Sequence, residues 1–161
     1  MFAKVFNQRI KHGIVGGLVG GVVFGGMMAM MGMLPMIGKM VGVPNALVGF
    51  LVHMGISAGI GGSFGVLAGP IVTGRISGLV SGALYGMVWW ILGPLTLMPA
   101  FMGMGLGVNW NLGAAQAMLP SLMGHVIFGL VLGLVYSRGE NCALVKLGKT
   151  EARKTPPLKA V

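Results

Sequence analysis

Four long apolar stretches constrain the fold of this 161-residue chain more than any other feature. They cover residues 13–34, 45–69, 74–98 and 119–137, and each is long enough to cross a hydrocarbon core, which takes about 20 helical residues. They contain no Asp, Glu or Lys, and Arg75 lies at a boundary. The polar/apolar alternation typical of membrane strands is absent, and a helix satisfies its own backbone hydrogen bonds in lipid. The pattern predicts four transmembrane helices.

The composition agrees with a bilayer as the solvent. Hydrophobic residues make up 55% of the chain and charged residues 8%, against roughly 25% charged in soluble domains. Too few polar side chains are present to cover a soluble domain. The sequence therefore predicts an all-α polytopic membrane protein.

The cations predict the orientation. All but Lys39 flank the spans on one side: Lys4, Arg9, Lys11, Arg75, Arg138, Lys146, Lys149, Arg153, Lys154 and Lys159. By the positive-inside rule, both termini and the turn at residues 70–75 are expected in the cytoplasm. Residues 1–12 are then a basic N-terminus and residues 138–161 a mobile basic tail. Because topology accounts for the +9 charge, we predict the lipid bilayer as a partner and no nucleic acid.

An internal duplication organises the spans. Gly13, Gly17, Gly21 and Gly25 recur 61 residues later, and Leu47, His53, Gly61 and Phe64 have counterparts 72 residues later, including His125. The duplication thus predicts two tandem helical hairpins, residues 13–69 and 70–137. Both enter and leave on the cytoplasmic side, so the predicted repeats are parallel and related by a pseudo-two-fold axis along the membrane normal. Since the third span copies the first, we expect the first to be retained rather than cleaved as a signal peptide.

Glycines spaced by four residues predict where the helices pack. Small residues along one ridge let two helix backbones approach closely in a membrane. The predicted packing residues are Gly13, Gly17, Gly21, Gly25, Gly61, Gly65, Gly74, Gly78, Gly82, Gly86, Gly129 and Gly133. They fall in the predicted cytoplasmic half, whereas bulky Met and Trp side chains fall in the outer half. We therefore expect helices that touch near the cytoplasm and separate toward an outward-facing crevice.

Two histidines are the candidate site residues. His53 and His125 occupy matching repeat positions on the packing ridges, and an ionisable residue inside a membrane is a functional candidate. One hypothesis makes them neutral packing residues, each donating an interhelical hydrogen bond. One acceptor for such a bond is the Trp90 carbonyl, which Pro94 leaves free where it is expected to kink the third span. The alternative is ligation of copper(I) or of a haem iron, with no cofactor as the favoured expectation.

Other chemistries lack candidate residues. The predicted spans contain no carboxylate for a proton relay, and the phosphate-loop, zinc-protease and serine-hydrolase motifs are absent. Cys142 is the only cysteine and is predicted to be a reduced cytoplasmic thiol.

In the uncharged loop at residues 99–117, Asn111 is expected to cap a short helix before Pro120, and the loop could lie at the interface or cover the crevice.

The most distinctive segment is Gly82-Ala-Leu-Tyr-Gly-Met-Val-Trp-Trp-Ile-Leu-Gly-Pro-Leu-Thr-Leu-Met-Pro99, followed later by Pro120-Ser-Leu-Met-Gly-His125 and Gly129-Leu-Val-Leu-Gly-Leu-Val-Tyr136. Over residues 13–137 the chain resembles a group of uncharacterised small prokaryotic membrane proteins. The resemblance implies four membrane helices in a prokaryotic inner membrane, and no known activity.

Two classes of function follow. The first is a non-enzymatic accessory, assembly or self-associating membrane component, whose partner is a second copy or another membrane protein. The alternative is a small transporter, channel or metal- or haem-binding protein that uses the crevice with His53 and His125. The scarcity of charged residues in the spans favours the first.

Overall fold

The computed structural model describes residues 2–154, with side chains for residues 3–140, and the described chain is helical without a strand. The long helices are α1 (Phe2–Met30), α3 (Ala46–Leu67), α4 (Arg75–Leu92) and α7 (Leu119–Lys154). The short helices are α2 (Leu34–Lys39), α5 (Met98–Phe101) and α6 (Leu112–Ala117). A 3₁₀ turn spans Gly69–Ile71 and a π-helical turn spans Gly93–Leu97.

Four helical segments are long and apolar enough to cross a membrane: Ala3–Met30, Ala46–Leu67, Arg75–Phe101 and Leu119–Glu140. Each overlaps one predicted span. By length and composition, the prediction of an all-helical, multi-pass membrane protein is confirmed. The third span continues beyond α4 through the π-helical turn into α5.

The ends of the first span differ from the prediction. α1 begins at Phe2, within the predicted basic N-terminus, and ends at Met30 rather than at residue 34. Gly32 takes a left-handed conformation (φ +66°), which favours glycine and stops the helix. Pro35 then lies in the first turn of α2, where its missing N–H costs no hydrogen bond.

The predicted mobile tail is helical through Lys154, because α7 continues without a break past residue 137. Ala, Leu, Lys, Glu and Arg in this stretch favour helix, and the first proline is Pro156. The predictions for Lys159 and for the end of the tail, residues 155–161, lie outside the described residues. Those for the side chains of Cys142, Lys146, Lys149, Arg153 and Lys154 lie outside the described side chains.

Three pairs of the described long helices pack closely against each other, and α3 and α4 do not. α1 packs against α3 and α7, α4 packs against α7, and α2 packs against α3. In the described part of the chain, α3 and α4 share no comparable backbone contact. They meet through the Tyr85 side chain, whose hydroxyl lies 2.7 Å from Ser63 Oγ and whose ring packs edge-on against Phe64. The most deeply buried core side chains are Phe64, Leu132 and Tyr136.

Glycines form the α1–α3 contact. A Cβ placed on Gly13 or Gly17 would contact the backbone of Gly61 or its neighbours, and one placed on Gly65 would contact the Arg9 carbonyl. Further along α1, Gly21 faces Ser57 and Gly25 faces the rings of Phe50 and His53. Backbone approach this close is possible only with small residues on both helices.

The α4–α7 contact has the same form. Gly78 faces Gly133, Gly82 faces Gly129, and Gly86 faces the carbonyl of His125. Gly74 is the one predicted packing glycine that the structure leaves out of these contacts, since no atom lies within 4 Å of its Cβ position. Gly74 is the extended N-cap residue of α4 and precedes the helix, so it cannot be part of a helical ridge.

A third close contact joins the two hairpins on one side only. Gly16 and Gly20 of α1 face Leu132 and Phe128 of α7, and the ring of Phe24 rests on Gly124. By the predicted repeat, Gly16 and Gly20 of α1 correspond to Ser77 and Ser81 of α4. Gly124 of α7 corresponds to Val52 of α3. The glycines that let α1 and α7 approach each other are thus absent from the corresponding positions of α4 and α3.

Candidate functional site

A cavity of about 220 Å³ lies beside the gap between α3 and α4. Its walls combine side chains from all four long helices with Ile37 of α2, with Met40 directly after α2, and with the segment from Gly93 to Phe101. The lining residues are Phe24, Met28, Ile37, Met40, His53, Ile56, Ser57, Ile60, Trp89, Gly93, Pro94, Leu97, Met98, Phe101, His125 and Phe128. Both candidate histidines therefore line one cavity, at the Pro94 end of the bundle.

His53 links two helices. Its side chain is 8% exposed, and Nε2 donates to the carbonyl of Gly21 in α1 at 3.0 Å. Ser57 Oγ lies 3.4 Å from the same nitrogen. A carbonyl can only accept, so Nε2 carries the proton and Nδ1 of the neutral ring holds the lone pair.

His125 bonds within its own helix. Nδ1 donates to the carbonyl of Ser121 at 2.8 Å, with Ser121 Oγ 3.4 Å away. By the same argument, Nδ1 carries the proton and Nε2 holds the lone pair. The two histidines thus use opposite ring nitrogens, and their hydrogen bonds do not follow the predicted symmetry.

Phe24 holds the two imidazoles in place. Its ring packs edge-on against both, with centroid distances of 5.5 Å to His53 and 4.8 Å to His125. It is 8% exposed and rests against the bare backbone of Gly124. The internal repeat pairs Phe24 with Tyr85, but it does not identify Phe24 as a site residue, since its role comes from contacts with residues 29 and 101 positions away.

The hypothesis that a histidine donates to the Trp90 carbonyl is wrong for this structure, because both histidines donate to other carbonyls. Pro94 instead lies in the π-helical turn Gly93–Leu97. There the Thr96 hydroxyl donates to the Ile91 carbonyl at 2.7 Å. Insertion of this turn is a known response to a proline inside a helix.

The two connecting loops contribute unequally to the cavity wall. Asn111 caps α6, its Oδ1 accepting from the backbone N–H of Ala114 at 2.9 Å, which confirms the predicted cap. Of residues 99–117, however, only Phe101 lines the cavity. The first loop contributes α2, which packs on α3 because Gly49 has no side chain to keep the Leu34 carbonyl away.

Sequence reasoning missed a polar cluster at the opposite end of the bundle. Glu140 accepts from Tyr136 at 3.4 Å, and its carboxylate lies 3.3 Å from Nδ1 of His12. The Tyr136 hydroxyl also approaches Gly69, and Arg9 Nε is buried nearby without a described acceptor. The cluster joins α1 to α7 between residues 128 positions apart in the sequence, so no local sequence pattern predicts it.

The site offers two kinds of chemistry. Each histidine leaves one lone pair, which can accept a hydrogen bond or bind a metal, and ring N–H bonds to backbone carbonyls are the usual support for a metal-binding histidine. Thioethers of Met28, Met40 and Met98 line the same cavity. Among the described residues, no group of three or more His, Cys, Asp or Glu side chains is placed to hold a metal ion.

Comparison with known proteins found no matching family model, no similar curated protein and no similar solved structure.

Proposed function

We propose that this chain is a non-enzymatic membrane component that associates with a second copy of itself through the exposed face of α3. The observation that carries the proposal is an uncovered pair of glycines, Gly55 and Gly59. Both are exposed, and no atom lies within 4 Å of either Cβ position. The predicted packing glycines contact other helices of the same chain, except Gly74, whereas no atom of the described chain covers Gly55 and Gly59.

The outer face of α3 has the pattern of a helix-pairing surface. Gly55 and Gly59 are four residues apart and lie opposite Ser57 and Gly61, which face α1. Helical spacing adds Val48, Val52 and Val66 to the same face. Small residues between β-branched ones give a groove and a ridge that suit close packing of two membrane helices.

The finer topology belongs to the same proposal. The two hairpins are tandem parallel repeats, supported by glycine contacts in corresponding register, Gly17 with Gly61 and Gly78 with Gly133. Both termini lie in the cytoplasm, supported by the distribution of Lys and Arg. The membrane is a prokaryotic inner membrane, as the resemblance implies.

Replacement of Gly59 by isoleucine is expected to weaken the proposed dimer at least about tenfold, or about 1.4 kcal/mol. The added side chain keeps the two backbones apart, and its Cβ position has no atom of the same copy within 4 Å. Energy transfer between donor- and acceptor-labelled copies in lipid vesicles, followed on dilution with lipid, measures the dissociation constant.

The matched control is Gly26→Ile. Gly26 is also exposed, with no atom within 4 Å of its Cβ position, but it lies on α1. The control is expected to associate like the unmodified chain. Equal weakening by both substitutions, or a chain that stays monomeric at every lipid dilution, would contradict the proposal.

A second function, a small carrier or binding protein, is favoured by one observation. The cavity beside α3 and α4 gathers His53 and His125, which are the only ionisable side chains among the described residues of its wall. Intramembrane ionisable residues mark ligand and ion sites by default.

A further inference from the structure

The cavity wall is apolar apart from a few atoms. Of its lining side chains, only His53, Ser57, Trp89 and His125 contain nitrogen or oxygen. An apolar pocket with a few converging polar groups is a place to expect a small ligand. Its volume of about 220 Å³ exceeds the roughly 150 Å³ of an engineered cavity that binds benzene.

His125 presents a hydrogen-bond acceptor to this cavity. Its Nδ1–H is committed to the Ser121 carbonyl, so the Nε2 lone pair is the free one. Nε2 lies 3.8 Å from the Cβ position of Gly93, which also lines the cavity, and no donor among the described residues reaches it. An acceptor left without a partner in apolar surroundings costs free energy that a ligand with a donor would recover.

Two residues of the cavity wall are partly exposed on the side where α3 and α4 stand apart: Ile56 is 42% exposed and Leu97 is 38% exposed. Both belong to segments long and apolar enough to cross a membrane. We infer that a molecule dissolved in the bilayer reaches the cavity from this side.

We propose that the cavity binds a small, neutral, lipid-soluble molecule built from an apolar ring or short chain and one hydroxyl group, which donates to His125 Nε2. This site rests on the second candidate function and not on self-association, because a single copy forms the whole cavity. The methionine thioethers would also suit copper(I). The hydroxyl ligand is favoured because the cavity is several times larger than an ion requires and its wall holds no carboxylate to balance a cation.

The test uses Trp89, which lines the cavity, as a fluorescent reporter. A Trp90→Phe/Trp110→Phe variant leaves it as the only tryptophan. The probes are 4-bromophenol and bromobenzene, which quench tryptophan and differ by the hydroxyl group. In vesicles, we expect saturable quenching of Trp89, with 4-bromophenol bound about threefold to tenfold more tightly than bromobenzene.

Two variants locate the hydrogen bond. His125→Phe is expected to bind both probes equally, because the ring remains and the acceptor is lost. Gly93→Val keeps His125 but narrows the cavity, so both probes should bind more weakly. The matched control for quenching from lipid is a Trp89→Phe/Trp110→Phe variant, whose remaining Trp90 is not a lining residue and should show no saturation.

Equal affinity for the two probes, or a preference for 4-bromophenol that survives in His125→Phe, would overturn the proposal. Stoichiometric copper(I) binding lost in His125→Phe, with no discrimination between the probes, would make the site a metal site instead. Repeating the titration in the Gly59→Ile background keeps the outcome independent of association.

Discussion

Replacement of Gly82 by leucine is expected to destabilise the bundle by about 3 kcal/mol, the largest effect of any single substitution considered. A Cβ at Gly82 would collide with the carbonyl oxygen of Gly129 and lie 3.1 Å from the Cα of Gly133. Both obstacles are backbone, so no side chain can rotate away. The helices α4 and α7 must separate, and the contact along their whole length weakens.

The measurement is the free energy of unfolding in mixed micelles, titrated with a denaturing detergent. Gly26→Leu is the matched control, because it makes the same chemical change where the Cβ position is open. Both substitutions gain about 1 kcal/mol of helix propensity, so the difference between them isolates the contact. Equal stability of the two variants would show that α4 and α7 are not in contact at Gly82.

Replacement of Phe24 by alanine is expected to cost about 2–3 kcal/mol. The ring fills the space between Gly124 and the two imidazoles, and its removal leaves a cavity that the surrounding helices cannot close. The cost is below the roughly 3–5 kcal/mol of a soluble core, since lipid is as apolar as the protein interior and only the packing term remains.

Phe101→Ala provides the comparison. Phe101 lines the same cavity but is 68% exposed, so its loss is expected to cost less than about 1 kcal/mol. The same unfolding titration measures both variants. If Phe24→Ala were no more destabilising than Phe101→Ala, Phe24 would not hold the two imidazoles in place.

The sequence predicts the four spans well because hydropathy and length directly determine which segments suit a bilayer. It also predicts most of the glycine contacts, such as Gly17 with its partner helix, since spacing by four places residues on one ridge. For α3 the repeat selects the ridge of Gly61 and Gly65, and the structure packs that ridge against α1. The sequence does not identify Gly55 and Gly59 as a second, exposed pair, because the helix is apolar on all sides.

The sequence predicts the two histidines of the site but not their hydrogen bonds. Repeat spacing identifies His53 and His125 as a pair, and the structure brings both to one cavity. Their hydrogen bonds depend on which carbonyl each ring can reach, and repeat spacing does not determine this. The contact of Glu140 with His12 joins residues far apart in sequence, and a single chain carries no signal for it.

Cysteine crosslinking along α3 tests the proposed association most directly. In a Cys142→Ser background, which removes the only native cysteine, single cysteines replace Val52, Gly55 or Gly59 on the outer face of α3. A cysteine at Val22, which is 55% exposed on α1, serves as the control. Oxidation in membranes is expected to give disulfide-linked dimers from the α3 positions and none from Val22. Equal crosslinking at Val22, or no dimer from any α3 position, would contradict the proposal that this face joins two copies.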